Sequence, residues 1–129
     1  MVDKSNEIFT LVATELRKEF DGITVKGESI DTPSTFPTAT IDEISNVPVE
    51  IDTRSLNEYA RVTYRVQVFT NGHSKRADAR RIYKVIDEVL QSINLRCKSM
   101  STTPSVYNTN IYQVSSSYEA IVKRDGTIY

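Results

Sequence analysis

The sequence predicts an α+β domain: an antiparallel sheet of about four to five strands with two helices packed on one face, in the order α-β-β-β-α-β-β. Three observations lead there. Two segments repeat apolar residues at helical spacing, Ile8, Leu11, Val12 and Leu16 in one and Ala79, Ile82, Ile86, Val89, Leu90 and Ile93 in the other. Two others alternate apolar and polar residues over ten or more positions, 59–70 and 111–123. A sheet with one polar face is usually antiparallel. The 129 residues contain no linker-like stretch or internal repeat, so residues 1–129 read as one domain.

The first helix is predicted over 5–20, with Ser5 or Asn6 as N-cap and the Asp21-Gly22 pair as its stop. A short polar strand follows over 23–30, then a turn-rich loop bracketed by Pro33 and Pro37. The second strand spans 36–45, with Ala39 and Ile41 on one face and Thr38, Thr40 and Asp42 on the other. Residues 46–57 read as a long hairpin loop holding Pro48, Glu50, Asp52 and Arg54; loops of this length are uncommon and often functional. In the third strand, 59–70, Ala60, Val62, Tyr64, Val66 and Val68 alternate with Arg61, Thr63, Arg65 and Gln67. Asn71-Gly72-His73-Ser74 makes a turn into the second helix, 75–93, which Asn94 ends. A strand over 95–100, a polar loop over 101–110 and a final strand over 111–123 complete the order, with an Asp125-Gly126 turn near the end. If successive elements alternate in direction, loop 46–57 lies at one end of the sheet and loops 31–36, 71–74 and 101–110 at the other.

Composition excludes little but does so clearly. The net charge of -1 gives no overall basic signal for nucleic acid or membrane. Residues 1–58 hold twelve acids and five bases, whereas 59–129 hold five acids and eleven bases. Such asymmetry is either neutralised within one fold or pairs one subunit with the next. A single cysteine excludes an intrachain disulfide, which fits a reducing compartment. Val2 is followed at once by Asp3 and Lys4 rather than by an apolar signal-like run, and no apolar run approaches the ~20 residues that span a bilayer. Assembly in the cytoplasm, without membrane contact, is the expectation.

The residues that carry chemistry are sparse. His73 lies among turn residues, where a solvated position is the expectation, and no nucleophile pairs with it in the sequence. Cys97, between Arg96 and Lys98, reads as a buried small apolar side chain. One histidine and one cysteine, far apart, do not make a zinc site. Asp42-Glu43 in a strand and Asp87-Glu88 in a helix point in different directions, which is unsuited to an acid/base pair. The four glycines form no phosphate loop. No catalytic, metal or cofactor residue is therefore expected, and the chain reads as a non-enzyme.

Two surfaces remain. The second helix carries Lys75, Arg76, Arg80, Arg81 and Lys84 on one face, interrupted by Asp78 and Asp87 and lacking aromatic stacking partners. Arg61 and Arg65 stand on the polar side of one strand, about 13 Å apart. Arginine suits carboxylates held across an interface, so Arg61 and Arg65, with Asp42 and Glu43, are candidate subunit-interface residues. Tyr64, Tyr112 and Tyr118 fit core registers, while Tyr59, Tyr107 and Tyr129 are candidate contact residues.

Several blocks together resemble the tail-terminator and tail-completion proteins of long-tailed bacteriophages. They are Phe36-Pro37-Thr38-Ala39-Thr40-Ile41-Asp42-Glu43-Ile44-Ser45-Asn46, then Val62-Thr63-Tyr64-Arg65-Val66-Gln67-Val68-Phe69-Thr70-Asn71, then Lys75-Arg76-Ala77-Asp78-Ala79 with Val85-Ile86-Asp87-Glu88-Val89-Leu90. The closing strand, Ile111-Tyr112 through Tyr118-Glu119-Ala120-Ile121-Val122, and Asp125-Gly126-Thr127-Ile128-Tyr129 are similar too. The order and spacing of the blocks over 36–129 carry the resemblance. Where many relatives have Gly-Phe after the second helix, this chain has Asn94-Leu95. The resemblance implies a virion structural protein: a hexameric ring at the head-proximal end of the tail that ends the tail tube and docks to the head connector. DNA would pass through its opening without sequence-specific binding. The expected partners are the chain itself, the tail tube protein and a connector or stopper protein. Glu50, Asp52 and Arg54 in one loop and Tyr107 in another are the candidate axial contacts. The alternatives are a head-completion, stopper or minor capsid protein of the same joint, or a nucleic-acid-binding module using the second helix.

Overall fold

The structure is a computed structural model that describes residues 2–31, 33–49, 59–104 and 110–129. Among these the chain forms α1 (Ser5–Glu19), β1 (Thr24–Lys26), β2 (Thr38–Val49), β3 (Tyr59–Asn71), α2 (Lys75–Ser92), β4 (Arg96–Pro104) and β5 (Ile111–Lys123). The strands make one sheet in the order β1-β2-β3-β5-β4. Both helices pack on one face of it and on each other. The predicted α+β class and element order hold.

The core forms where the two periodicities meet. From the helices come Ile8, Val12, Ala13 and Leu16, then Ala79, Ile82, Ile86 and Leu90. From the sheet come Ala39 and Ile41, then Ala60, Val62, Tyr64, Val66 and Val68, then Val114, Tyr118, Ala120 and Val122. Leu11, expected in the stripe, is instead 40% exposed. Ala13, one residue past Val12, occupies the buried seam, where its small side chain lets the helix sit close. α1 is begun by Asp3, whose carboxylate accepts hydrogen bonds from the Ser5 backbone N–H and Ser5 Oγ, rather than by Ser5 or Asn6 as cap. These bonds hold the Asp3 carboxyl below its usual range.

α2 ends as a Schellman turn. Asn94 takes φ +70°, its N–H reaches the Gln91 carbonyl, and the Leu95 N–H reaches back to the Leu90 carbonyl. Asparagine is the side chain other than glycine that most readily accepts this left-handed position. Leu95 then buries beside Leu90 as the apolar anchor. Asn94 and Leu95 thus do the work that a Gly-Phe pair would do. Asn94 Nδ2 also donates to the Ile128 carbonyl at 3.0 Å.

Three expectations need correction. The sheet is mixed, because β1 pairs parallel to β2. A parallel neighbour requires the chain to cross back along the sheet, so the predicted strand 23–30 shortens to Thr24–Lys26 and a crossover, described over 27–31 and 33–37, leads to β2. β2 runs to Val49, past the expected end at 45, with a bulge between Glu43 and Ser45. Residues 46–49 of the expected loop are therefore strand. β4 likewise runs to Pro104. The 71–74 turn and the start of β2 lie at one end of the sheet, and the end of β2 and the start of β3 lie at the other.

The crossover closes half of the sheet face that carries no helix. The Gln67 amide grips the Ile30 backbone twice, accepting from its N–H at 3.0 Å and donating to its carbonyl at 3.2 Å. Thr40 Oγ1 donates to the same Gln67 oxygen at 2.9 Å. Ser29 binds Asp42 through its N–H and hydroxyl. Thr38, Thr40, Gln67 and Phe69 on this face are buried as a result. At the other end, residues 127–129 fold back along β5 after the Gly126 turn, with the Tyr129 N–H donating to the Ile121 carbonyl at 2.9 Å. They extend the edge that β4 begins.

Candidate assembly face

The strand register decides which candidates share a surface. Arg61 and Arg65 project from β3 on the face away from the helices, and both are exposed. Asp42 lies directly opposite Arg65 in register, and Ser117 of β5 lies on its other side. Three of the four candidate residues, Arg61, Arg65 and Asp42, therefore share one face. Glu43 does not. Adjacent strand residues alternate faces, and Glu43 turns toward the helices, where Tyr64 Oη donates to its carboxylate at 3.2 Å.

Each environment sets a different electrostatic state. Burial raises the Glu43 carboxyl above its usual range, against the lowering effect of hydrogen bonds from Tyr64 and Asn46. The same burial, with the carboxylate beside it, pushes the Tyr64 hydroxyl far up. Arg61 Nε lies 3.7 Å from Glu119 Oε1, and Lys98 Nζ lies 3.9 Å from the same oxygen. Such exposed pairs contribute roughly 0–1 kcal/mol, so they leave Arg61 able to exchange its intramolecular partner for one on another molecule. Around these charges the bare half of the face carries short hydroxyl side chains, Thr63, Ser99, Ser101, Ser115 and Ser117, and, in the row of Arg61, the apolar Val47 and Ile121.

The other candidates fall elsewhere. Glu50, Asp52, Arg54 and Tyr107 lie outside the described residues. Tyr59 and Tyr129 do come together, with ring centroids 6.2 Å apart and Lys123 Nζ 5.9 Å from the Tyr59 ring. His73 is exposed in its turn, as expected. Cys97 is also exposed, against expectation. It lies in register with buried Tyr118 but on an edge strand, and its thiol faces Tyr83 Oη at 3.7 Å rather than the core. Alternation gives the face of a strand but not the distance from its edge.

A tyrosine network escaped the sequence reading. Tyr118 Oη donates to Asp87 at 2.6 Å and shares a 2.8 Å hydrogen bond with Tyr83 Oη. Burial raises both tyrosines. The network ties α2 to β5. Its sequence signal was Asp87, an acid on the flank of an apolar helix stripe whose register partner cannot be read from one element. Arg76, Arg80, Arg81 and Lys84 are exposed on α2, and Arg81 pairs with Asp78 at 2.8 Å. A cleft of about 390 Å³ lies beside them, lined among others by Phe20, Phe36, Asp78 and Arg81. Among the described residues no group of three or more His, Cys, Asp or Glu side chains is placed to hold a metal ion, and no helix is long and apolar enough to cross a membrane. The chain matches no protein-family model and no curated protein sequence.

Proposed function

We propose that this chain is a virion structural protein that assembles into a ring, ends the tail tube of a long-tailed bacteriophage and joins the tail to the head connector, with DNA passing through the ring. The observation that carries the reading is the bare half of the helix-free sheet face. It presents Arg65 beside Ser117 and Arg61 between Val47 and Ile121, with only weak intramolecular pairing for Arg61. Arginines on a rigid sheet, free to exchange partners, suit recognition of carboxylates on a neighbouring subunit. The resemblance adds to this. Its blocks coincide with β2, β3, α2 and β5, which pack against one another and form the middle of the fold.

The test is assembly. Added to polymerising tail tube protein, the chain is expected to bind tube ends and fix tube length. Arg61→Glu with Arg65→Glu is expected to remove that capping while the thermal transition stays within a few degrees. Normal capping by the double variant would rule out the role of the two arginines, and tubes of unchanged length with the unmodified chain would rule out the terminator reading.

The exposed basic side of α2 favours a second reading, a nucleic-acid-binding module. It requires DNA affinity that falls steeply with salt for the isolated chain.

A further inference from the structure

The two long edges of the sheet differ in charge and match in height. β1 pairs only with Thr38, Ala39 and Thr40, so from Ile41 onward β2 has β3 on one side and no described strand on the other. That edge carries Asp42 and Glu43, with exposed Glu28 near it. β4 pairs with β5 alone, and its edge carries Arg96 and Lys98. Of the five exposed large apolar side chains among the described residues, four lie on these two edges: Ile44 and Val47 on one, Met100 and Tyr129 on the other. Exposed apolar groups concentrated at two strand edges mark surfaces that gain by being covered.

The rows across the sheet bring the two edges to the same level. Cys97 is in register with Tyr118, Tyr118 with Tyr64, and Tyr64 with Glu43. One row along, Ser99 leads through Ser117 and Arg65 to Asp42. Lys98, in the β4 bulge, falls between these rows. Tyr129 is tied to Ile121, whose row leads through Arg61 to Val47. A second copy placed beside the first, without a shift along the strands, therefore sets Lys98, which reaches Glu119 on the helix-free face, against Asp42 on the same face and brings Tyr129 toward Val47. β2 and β4 run in opposite directions within the sheet, so the junction is antiparallel, the pairing with the straighter hydrogen bonds.

We propose that the β2 edge of one subunit docks antiparallel on the β4 edge of a second copy, head to tail, so that the sheet continues from subunit to subunit. Charge selects this over the two-fold alternatives. β2 against β2 opposes Asp42 and Glu43 to themselves, and β4 against β4 opposes Arg96 and Lys98 to themselves; like charges facing across strands are destabilising. A junction between different patches propagates head to tail instead of ending at a dimer, and it closes into a ring when the rotation from subunit to subunit completes a turn, the closure the ring reading requires. Pro48, which has no N–H to offer, and the two bulges restrict the pairing to a short stretch and so fix its register. This inference rests on the ring reading and adds which surfaces meet.

Cys97 supplies the test, because it is exposed and in the row of the β2 bulge. Ile44→Cys, with Cys97 retained, is oxidised mildly and run on a non-reducing gel. A ladder of covalent oligomers extending beyond the dimer is expected, and it is expected to vanish when Cys97→Ser is added. Val47→Cys with Tyr129→Cys, in a Cys97→Ser background, repeats the test one row away and serves if Ile44→Cys does not fold. Assembled rings in which neither pair cross-links overturn the edge junction and leave the ring reading standing. Cross-linking that stops at dimers overturns the head-to-tail geometry. A monomer that cross-links with neither pair, alone or with tube protein, overturns both.

Discussion

The two faces of the sheet are sealed by different physics. The helix face is closed by apolar side chains at regular spacing, each contributing through area removed from water. The opposite face is closed over only half its length, and there by hydrogen bonds to the crossover: Gln67, braced by the Thr40 hydroxyl, holds the Ile30 backbone, and Asp42 accepts from Ser29. The remainder, with Arg61 and Arg65, stays open to solvent. Apolar closure tolerates imperfect partners, since area has no direction. Closure by a single buried amide depends on that one residue. The open half is then the part of the sheet with least stake in the fold and most freedom to serve assembly.

Substitutions can break this contrast. Leu90→Ala, at the fully buried centre of the helix face, is expected to cost about 2–5 kcal/mol, because it leaves a cavity that the helix cannot fill. Thermal or urea unfolding reads this directly. Gln67→Ala is expected to cost about 1–3 kcal/mol by leaving the Ile30 backbone groups and Thr40 without their partner. Its distinguishing mark is local: amide exchange should accelerate in 27–37 before it does in α2. Uniform acceleration would mean that the crossover is held by something other than Gln67. Arg65→Ala, in the open half, is expected to stay within about 0.5 kcal/mol of the parent. A larger loss would show that the open half belongs to the fold.

A further small effect depends on pH and concerns Glu43. Glu43 binds protons more tightly folded than unfolded, because burial raises its carboxyl. The stability it contributes is therefore complete below the ordinary glutamate range and is lost as pH rises through the raised value. Glu43→Gln keeps an acceptor for Tyr64 and is expected to stabilise the protein at neutral pH. Solvent screening of this half-exposed group keeps the gain under about 1 kcal/mol. Melting curves at acidic and neutral pH should show the variant's advantage only at the higher pH. An equal difference at both would assign the effect to packing.

The sequence made the helix face legible and the other face only partly so. Period-two alternation in 59–70 identified Ala60, Val62, Tyr64, Val66 and Val68 but not the buried Phe69, and in 111–123 it placed Tyr118 in the core together with Tyr112, which is only half-buried. The helical stripes located both helices within a residue or two. What alternation cannot carry is what covers the second face. Thr38, Thr40 and Gln67 look like solvent residues, and they are buried because a distant backbone segment satisfies them. The parallel β1 was hidden for the same reason: three residues have no period, and the crossover that makes the pairing parallel has no helical or strand pattern. Of the four interface candidates grouped together in the sequence, Arg61, Arg65 and Asp42 share a face, whereas Glu43 lies on the other one, because adjacent strand residues alternate. Cys97 was misplaced because strand alternation does not reveal that β4 is an edge.

The most direct measurement is the mass of the purified protein by light scattering, alone and then with tail tube protein. A ring of about six subunits of 14.6 kDa is expected, either at once or when the tube protein is present. A monomer indifferent to the tube protein would contradict ring assembly.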